Sequence, residues 1–293
     1  MNVLVIGANG QLGSAFRALG EECTDRYIFA DVSDASEADT IRLDACDIDA
    51  VRTAVGQTGA DIIVNCAAYT DVDRAEADEA RCELLNVRIP ENLATVMKET
   101  GGLLVHFSTD YVFGGIAAVT PYVEDSPAAP LGVYGMTKYR GERVIQESGC
   151  HHLIIRTAWL YGGKGKNFLK TILALASSRP ELKVVNDQRG TPTYAMDLAG
   201  AVCDIINGRK YVGNDGVYHY SGEGDCTWYD FASKIVEYAG LEGCVVRPCT
   251  SEEYPSTVRR PSYSVLDKTR IRSTFGIDIP YWTDSLKKCL SNI

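Results

Sequence analysis

MNVLVIGANGQLGSAF, residues 1–16, determines most of what can be inferred about the architecture. A short apolar run leads directly into Gly7, Gly10 and Gly13, each separated from the next by two residues, and a helical pattern follows. Glycine at these positions allows a tight turn, a close approach of the backbone to a pyrophosphate and close packing of the next helix. The N-terminus of that helix then faces the phosphate charge. The segment therefore predicts a dinucleotide-binding turn between the first strand and the first helix.

Further apolar runs recur along the first half of the chain, with helical patterns between them. The runs are VLVIG at 3–7, YIFA at 27–30, IIVNCAA at 62–68, LLVHFS at 103–108 and LIIRTAW at 153–159. Near-continuous apolar strands separated by helices are typical of a parallel sheet covered on both faces. We therefore expect an α/β fold with a doubly wound parallel Rossmann sheet and a smaller C-terminal substrate-binding lobe.

The regular alternation loosens after about residue 160. Helices are expected near 167–177, 195–207 and 227–239, with a strand near 182–185. We interpret residues 1–160 as an NAD(P)-binding Rossmann domain and residues 161–293 mainly as the substrate-binding lobe, with some segments returning to the Rossmann domain. The long connection at 114–132, which contains Gly and Pro, is of a length that is often functional in compact domains.

Composition excludes several classes of function. A formal charge of -10 over 293 residues disfavours nucleic acid and anionic membrane surfaces as partners, because both are bound through clustered Lys and Arg. The sequence has no secretory signal pattern and no run near the ~20 apolar residues that span a bilayer, so a cytoplasmic location is expected. Ten scattered cysteines without a C-x-x-C pair predict reduced thiols and no metal site.

Asp31 follows the second apolar run, 18 residues after Gly13. A carboxylate at the end of this strand can accept hydrogen bonds from the adenosine ribose, and it would repel a 2'-phosphate. Arg26 or Arg42 could nevertheless serve a phosphorylated ribose. The cofactor is therefore expected to be NADH or NADPH, with a slight preference for NADH.

Tyr134 and Lys138 are four residues apart, which places a phenol and an ammonium on one face of a predicted helix. The positive charge lowers the phenol pKa, so that Tyr134 can donate a proton to a carbonyl oxygen. The segment Ser108-Thr109-Asp110 comes at the end of the fourth apolar run, where a hydroxyl can hydrogen-bond both a substrate oxygen and Tyr134. This combination predicts acid catalysis beside the cofactor.

Several motifs taken together resemble an extended short-chain dehydrogenase of the dTDP-4-dehydrorhamnose reductase family. They are the G-x-x-G-x-x-G turn, STDYVFGG at 108–115, PYVEDSPAAPLGVYGMTKYRGE at 121–142, RTAWLYG at 156–162 and NDQRGTPTYAMDLA at 186–199. The resemblance runs through essentially the whole chain. It implies NAD(P)H-dependent reduction of the 4-keto group of a dTDP-4-dehydro-6-deoxy-L-hexose, giving dTDP-L-rhamnose or a close relative.

The resemblance also implies roles for individual residues. Thr109, Tyr134 and Lys138 would be catalytic, and Lys138 would also hold the nicotinamide ribose. The cofactor positions are Gly7, Gly10, Gln11, Leu12, Gly13, Asp31, Asp44, Ala67, Ala68, Tyr69, Tyr134 and Lys138. The substrate positions are Thr70, Val72, Thr109, Tyr111, Tyr134 and Trp159, the last with an alternative role as a core aromatic.

Four residues depart from the family pattern. Gly132 stands where the family usually has Asn, and Tyr139 replaces a common Leu. Ala15 and Met196 stand where some members have acidic residues that join a metal-bridged dimer. A monomer, or a dimer that no metal bridges, is therefore expected.

Three alternatives stay open on the sequence. A nucleotide-sugar 4,6-dehydratase carries Thr-Asp-Glu where this chain has Thr109-Asp110-Tyr111, and a 4-epimerase usually keeps its NAD tightly bound. The third alternative is a non-catalytic, NAD(P)-binding regulatory subunit resembling that of methionine adenosyltransferase. Arg189, Arg259 and Arg260 are candidates for contacts with the substrate pyrophosphate, because a guanidinium can bind phosphate through two hydrogen bonds.

Overall fold

The glycine turn joins the first strand to the first helix in the computed structural model, which describes residues 1–21, 23–33, 39–254, 256 and 258–293. The strands of the main sheet are β1 Asn2–Ile6, β2 Arg26–Asp31, β3 Thr40–Arg42, β4 Ile62–Asn65, β5 Leu103–Thr109, β6 His151–Thr157 and β11 Gly216–His219. All pair in parallel, in the order β11-β6-β5-β4-β1-β2-β3. The predicted doubly wound Rossmann sheet is thus confirmed.

Helices cover this sheet on both faces and continue into the second half of the chain. They are α1 Gln11–Gly20, α2 Ile48–Thr58, α3 Val72–Ala75, α4 Glu79–Glu83, α5 Ile89–Thr100, α6 Val133–Ser148, α7 Phe168–Ala176, α8 Ala195–Asn207, α9 Trp228–Tyr238, α10 Thr269–Phe275 and α11 Trp282–Leu290. A π-helical turn at Leu84–Arg88 joins α4 to α5, and a 3-10 turn at Asp110–Val112 follows β5.

Alternating side chains of each strand supply two separate cores. Val3 and Val5 of β1 pack in a cluster beneath α1 and α8, whereas Leu4 and Ile6 pack in a cluster on the opposite face of the sheet. This arrangement follows from the period of two along a strand. It explains why β1 reads as a continuous apolar run.

The second half of the chain contributes to both parts of the fold. Helix α8 packs against α1, and β11 adds the edge strand beside β6. The remaining short strands pair outside the main sheet; they are β7 Leu160–Tyr161, β8 Glu181–Val185, β9 Arg189–Gly190, β10 Thr193–Tyr194, β12 Cys226–Thr227 and β13 Val245–Cys249. Helices α7, α9 and α11 pack with β8 around Phe231 and Leu286, which form the core of a smaller lobe.

Two differences from the sequence-based bounds have physical causes. The strand predicted to continue to residue 68 ends at Asn65, because the Asn65 side chain accepts a hydrogen bond from the Ala67 N–H and the chain leaves the sheet. Strands β3 and β11 were not predicted, because one is short and the other lies in the second half, where alternation is weak. No helix in the described ranges is long and apolar enough to cross a membrane.

Candidate active site

The carboxyl ends of β1, β2, β4, β5 and β6 meet at one edge of the sheet, as parallel strands require. Ligands of open α/β sheets bind outside this edge. The predicted cofactor and catalytic residues lie on the turns that leave these strands or on the helices that follow them. Among these predicted residues the widest separation along the chain is the 131 positions between Gly7 and Lys138.

The glycine turn requires glycine for reasons that can be measured. Gly7 has a φ of +76°, and a Cβ there would lie 2.6 Å from the Ala67 nitrogen. A Cβ on Gly13 would lie 2.3 Å from the Gly7 carbonyl oxygen. At Gly10 the nearest atom would be that same oxygen at 3.2 Å, and Gly10 gives α1 no side-chain cap. The first N–H groups of α1 are thus left for an anion.

Asp31 ends β2 and is bonded to the glycine turn itself. Its carboxylate accepts hydrogen bonds from the Asn9 N–H at 3.0 Å and from the Ser33 N–H and hydroxyl at 3.0 and 2.7 Å. Burial acts to raise the pKa of Asp31, but these hydrogen bonds prevail and lower it below the ordinary value. The carboxylate is therefore fixed in its charged form beside the turn.

The two arginines considered for NADPH lie at opposite edges of the sheet. Arg26 begins β2 and therefore lies at the amino ends of the strands, whereas Asp31 lies at the carboxyl ends. The expectation that Arg26 could contact a 2'-phosphate is therefore wrong. Arg42 pairs in register with Asp31 and lies at the correct edge. Only Arg42 of these two stays a candidate.

The other predicted cofactor residues lie on α1 or on the segments that follow β3 and β4. Gln11 begins α1, and its side-chain oxygen accepts a hydrogen bond at 2.7 Å from Asn167, which caps α7. The side chain of Leu12 is buried in the core, so only its backbone can face a phosphate. Asp44 is exposed after β3. The segment Ala67-Ala68-Tyr69 follows β4, and Gly7 packs directly against its first residue.

Thr109, Tyr134 and Lys138 meet where β5 ends and α6 begins. The Thr109 hydroxyl accepts from the Tyr111 N–H at 3.1 Å and donates to Asp110 Oδ1 at 3.2 Å. Burial raises the pKa of the Tyr134 phenol above its usual value, so the expectation that the charge of Lys138 lowers this pKa is wrong. A hydrogen bond with Thr109 acts to lower the pKa but does not reverse the rise. Tyr134 is thus a protonated acid at neutral pH.

Lys138 lies one helical turn after Tyr134, in an almost fully buried position. Its Nζ donates to the Phe107 carbonyl at 2.6 Å and lies 3.3 Å from His106 Nε2. Burial lowers the pKa of Lys138 to about 8, and the nearby Glu142 carboxylate acts in the opposite direction. The lysine therefore titrates much closer to neutrality than an exposed lysine.

One of the predicted sugar residues, Tyr111, lies beside Tyr134. Tyr111 packs edge-to-face on Tyr134, with ring centroids 5.6 Å apart. Arg260 contacts Tyr111 and donates two hydrogen bonds, of 2.9 and 2.8 Å, to Asp73 of α3. Val72 begins α3, and Thr70 is exposed two residues earlier.

Trp159 follows β6 in a left-handed backbone conformation, with a φ of +46°. One face of its indole stacks on Trp228 of the smaller lobe, with centroids 3.6 Å apart, and Gly190 approaches the ring so closely that a Cβ would lie 2.6 Å from it. Such a backbone conformation is uncommon for a bulky residue. Packing therefore holds Trp159 at the boundary between the two lobes, and the role beside the sugar stays a prediction.

Among the other arginine candidates, Arg189 forms an ion pair with Asp225 on the smaller lobe, and Arg259 is exposed. Arg260 is the one that the structure brings next to a predicted substrate residue. The pyrophosphate role of all three stays a prediction.

The family departures are accommodated by packing. Tyr139 packs against the cluster that contains Val112 and Phe113. Ala15 is buried beneath α8, and Met196 packs against the same core cluster. In the described ranges no group of His, Cys, Asp and Glu is arranged to hold a metal ion.

The missing Asn at position 132 is compensated from another element, which the sequence did not reveal. Gly132 is the N-cap of α6 and offers no side-chain hydrogen bond, but Glu76 Oε1 accepts from the Val133 N–H at 2.7 Å. A carboxylate at a helix N-terminus satisfies an unpaired N–H and favours the helix dipole. Glu76 therefore caps the helix that carries Tyr134.

Buried polar residues that hold α6 were also missed. Glu142 accepts two hydrogen bonds from Arg156, at 2.9 and 2.7 Å, and one from Ser108 at 2.5 Å. Asn86, in the π-helical turn, bonds Tyr69 on one side and Thr137 of α6 on the other. The sequence carries little signal for either residue: Glu142 lies among other polar residues of α6, and Asn86 is one polar residue between Leu85 and Val87.

Comparison with known proteins identifies the family of this chain. Residues 1–293 match the family profile described as the RmlD substrate binding domain. The chain belongs to this family. The resemblance to the dTDP-4-dehydrorhamnose reductase family is thereby confirmed, and the chain is classed as an oxidoreductase of Rossmann fold.

Three RmlD-family relatives illustrate the likeness. A dTDP-4-dehydrorhamnose reductase of Escherichia coli is 37% identical across 100% of this chain and 98% of that protein. A Streptomyces antibioticus protein, described as a probable dTDP-4,6-dihydroxy-2-methyloxan-3-one 4-ketoreductase, is 38% identical across 100% and 96%. The crystal structure of the Bacillus anthracis dTDP-4-dehydrorhamnose reductase in complex with NADP has a TM-score of 0.89 and 35% identity, across 100% and 99%.

Proposed function

We propose that this RmlD-family chain reduces the 4-keto group of a dTDP-4-dehydro-6-deoxy-L-hexose with NAD(P)H, giving dTDP-L-rhamnose or a close relative. The observation that carries the proposal is the meeting of Thr109, Tyr134 and Lys138 beside the glycine turn. Full-length relatives described as reductases of such sugar nucleotides support it.

The residues present fit a nicotinamide dinucleotide. The start of α1 has no side-chain cap, so its first N–H groups are available to a pyrophosphate, and the close backbone contacts of Gly7 and Gly13 hold the tight turn that brings them there. When bound, the cofactor supplies a hydride to the carbonyl carbon. We propose that the Lys138 ammonium also holds the nicotinamide ribose.

The protein's own residues supply the proton and the charge stabilisation. Tyr134 gives its phenolic proton to the carbonyl oxygen as negative charge develops there. The Thr109 hydroxyl, which is close to Tyr134, stabilises the same oxygen. Charged Lys138 stabilises the phenolate that remains. Tyr111 and Arg260 are proposed to orient the sugar nucleotide, together with Thr70, Val72 and Trp159.

Cofactor choice depends on Asp31. Because this carboxylate is fixed in its charged form by Asn9 and Ser33, it favours ribose hydroxyls over a 2'-phosphate. We propose that NADH is used at least as well as NADPH. The Bacillus anthracis relative was solved with NADP, so both cofactors must be compared directly.

The test offers dTDP-4-dehydro-6-deoxy-L-mannose with NADH or NADPH and follows cofactor oxidation and the sugar product. Turnover by the wild type, and strong loss in Tyr134→Phe prepared identically, would support the proposal. A second arm uses other dTDP-4-keto sugars, because the Streptomyces relative is described as acting on one. Cofactor binding without turnover of any keto sugar would favour the regulatory-subunit alternative and overturn the proposal.

Location and assembly stay predictions. We expect a cytoplasmic enzyme that acts as a monomer or as a dimer without a bridging metal, since Ala15 and Met196 offer no oxygen ligand.

A further inference from the structure

Two buried side chains lie beneath Lys138 and have no role in the mechanism proposed above. His106 of β5 is 0% exposed and Asn65 at the end of β4 is 1% exposed. Asn65 Nδ2 lies 3.0 Å from His106 Nδ1, and His106 Nε2 lies 3.3 Å from Lys138 Nζ. The three side chains form a row that begins at Ala67 of the cofactor segment.

The position of the histidine proton follows from counting donors and acceptors along this row. The Ala67 N–H can only donate, and it points to Asn65 at 3.1 Å, so the atom of the amide facing it is the oxygen. The amide NH2 group then faces His106, and it too can only donate. His106 Nδ1 must therefore accept, which leaves the ring proton on Nε2.

An Nε2–H group meets Lys138 at the other end of the row. A lysine ammonium has three donors and no lone pair, so it cannot accept this hydrogen bond. The uncharged amine has a lone pair and can therefore accept the hydrogen bond from the Nε2–H group. Phe107 accepts one hydrogen bond from Nζ in either state, so the histidine is the partner that distinguishes the two states.

The charged groups near Lys138 are few. Glu142, one turn later on α6, favours the ammonium, but its carboxylate is also bonded to Arg156 and Ser108. Burial and the charge of Lys138 lower the pKa of His106 far below its usual range, so the ring stays neutral. The lowered pKa of Lys138, about 8, agrees with an environment that tolerates the free amine.

We propose that His106, held by Asn65 with its proton on Nε2, is a positioning residue that stabilises the uncharged amine of Lys138. This role rests on the proposed function, in which Tyr134 must regain a proton after each reduction. Lys138 can release the proton that ends on Tyr134, changing from ammonium to amine as the phenolate becomes a phenol. His106 then donates a hydrogen bond to the amine, and Lys138 recovers its proton from solvent.

The first measurement locates the histidine proton in the wild type. The chain has four histidines, so a sample labelled with nitrogen-15 in histidine gives a simple NMR spectrum, assigned with His106→Gln. We expect a protonated Nε2 and an unprotonated Nδ1 at His106 between pH 6 and pH 9. A proton on Nδ1, or an imidazolium in this range, would overturn the proposal.

The second measurement is the pKa of Lys138, followed by NMR of carbon-13 at its ε position and assigned with Lys138→Arg. His106→Leu removes the N–H donor and should raise this pKa by about 0.5 to 1 unit, the size that one ordinary hydrogen bond gives. His106→Gln can accept from Asn65 and donate to Lys138, so it should keep the wild-type value. His151→Gln, at an exposed histidine, is the matched control.

An unchanged Lys138 pKa in folded His106→Leu would contradict the proposal. If that variant does not fold, Asn65→Asp replaces it, because a carboxylate accepts from both neighbours and should move the histidine proton to Nδ1 and raise the lysine pKa. Both readouts use protein without substrate. A chain that shows the expected tautomer but reduces no keto sugar would therefore refute the proposed function and leave the geometry intact.

Discussion

Glu76→Ala should destabilise the start of α6, and Gly132→Asn should restore it. In the wild type, Glu76 Oε1 accepts from the Val133 N–H at 2.7 Å and no side chain of position 132 can do so. An N-terminal cap contributes about 1 kcal/mol, within a range of roughly 0.5–2 kcal/mol. The carboxylate charge at the helix N-terminus adds about 0.3–1 kcal/mol. We therefore expect Glu76→Ala to lower the free energy of unfolding by about 1–2 kcal/mol.

The sign of the second substitution depends on the first. Gly132 has extended backbone angles that Asn adopts freely, but its Cβ would lie 2.5 Å from Glu76 Oε1. In the wild type the flexible glutamate must move away, so the helix exchanges one cap for another and Gly132→Asn should be nearly neutral. In Glu76→Ala that space is free, and the same substitution should recover about 1 kcal/mol.

Urea unfolding of the four proteins in this double-mutant cycle, followed by circular dichroism, measures the coupling between the two positions. Glu242→Ala, at an exposed glutamate in the turn after α9, is the control. Because Tyr134 lies in the first turn of α6, kcat of Glu76→Ala should also fall, by less than about tenfold, since tenfold corresponds to about 1.4 kcal/mol. Strictly additive effects of the two substitutions would refute the assignment of Glu76 as the cap.

Four further outcomes are expected. Tyr134→Phe should reduce turnover by about 10² to 10⁴, because the ring keeps its shape and loses only the acidic hydroxyl. Its cofactor affinity, measured by fluorescence titration, should stay near the wild-type value. Retention of more than half of the wild-type turnover, with a full deuteride isotope effect, would contradict this prediction. Activity should fall as pH rises through about 8, because Lys138 loses its charge there, and a pH profile of kcat/KM that is flat up to pH 10 would argue against a charged lysine in the reaction. Gly10→Val should fold, because its Cβ would meet a single atom, the Gly7 carbonyl oxygen at 3.2 Å, and a shift of a few tenths of an ångström relieves that contact. The variant should lose cofactor binding as judged by calorimetry, and retained affinity would mean that the pyrophosphate lies elsewhere. Removing divalent metal with a chelator should change neither activity nor mass in solution, and dissociation or inactivation would show that a metal takes part.

Local patterns could be predicted from the sequence because the residues that carry them are close together. The three glycines need one turn, and the close contacts around Gly7 and Gly13 bear out the tight turn and the close packing of the next helix, whereas the approach to a pyrophosphate stays a prediction. Tyr134 and Lys138 need one helical turn. In each case the backbone alone fixes the relative positions.

Contacts between distant elements could not be predicted in this way. Glu142 reads as an ordinary polar position on a helix, and only the fold reveals that Arg156 and Ser108 converge on it. The same holds for His106, which is separated from Asn65 by 41 residues and reads as one polar residue within an apolar strand. Side-chain orientation at the carboxyl edge depends on which strands are neighbours, and a linear pattern does not record that order.

The strand order of the sheet has a consequence for folding during protein synthesis. The edge strand β11 and the covering helix α8 come from residues 195–219, so most of the chain must leave the ribosome before the first strands can pair and pack completely. Until then the apolar side of α1, with Leu12 and Phe16, lacks its cover, and β6 presents an open edge of the kind that invites aggregation. A gene fragment encoding residues 1–160 should therefore yield insoluble protein, whereas a permuted gene that begins near residue 195 and rejoins the ends would deliver the late pieces first.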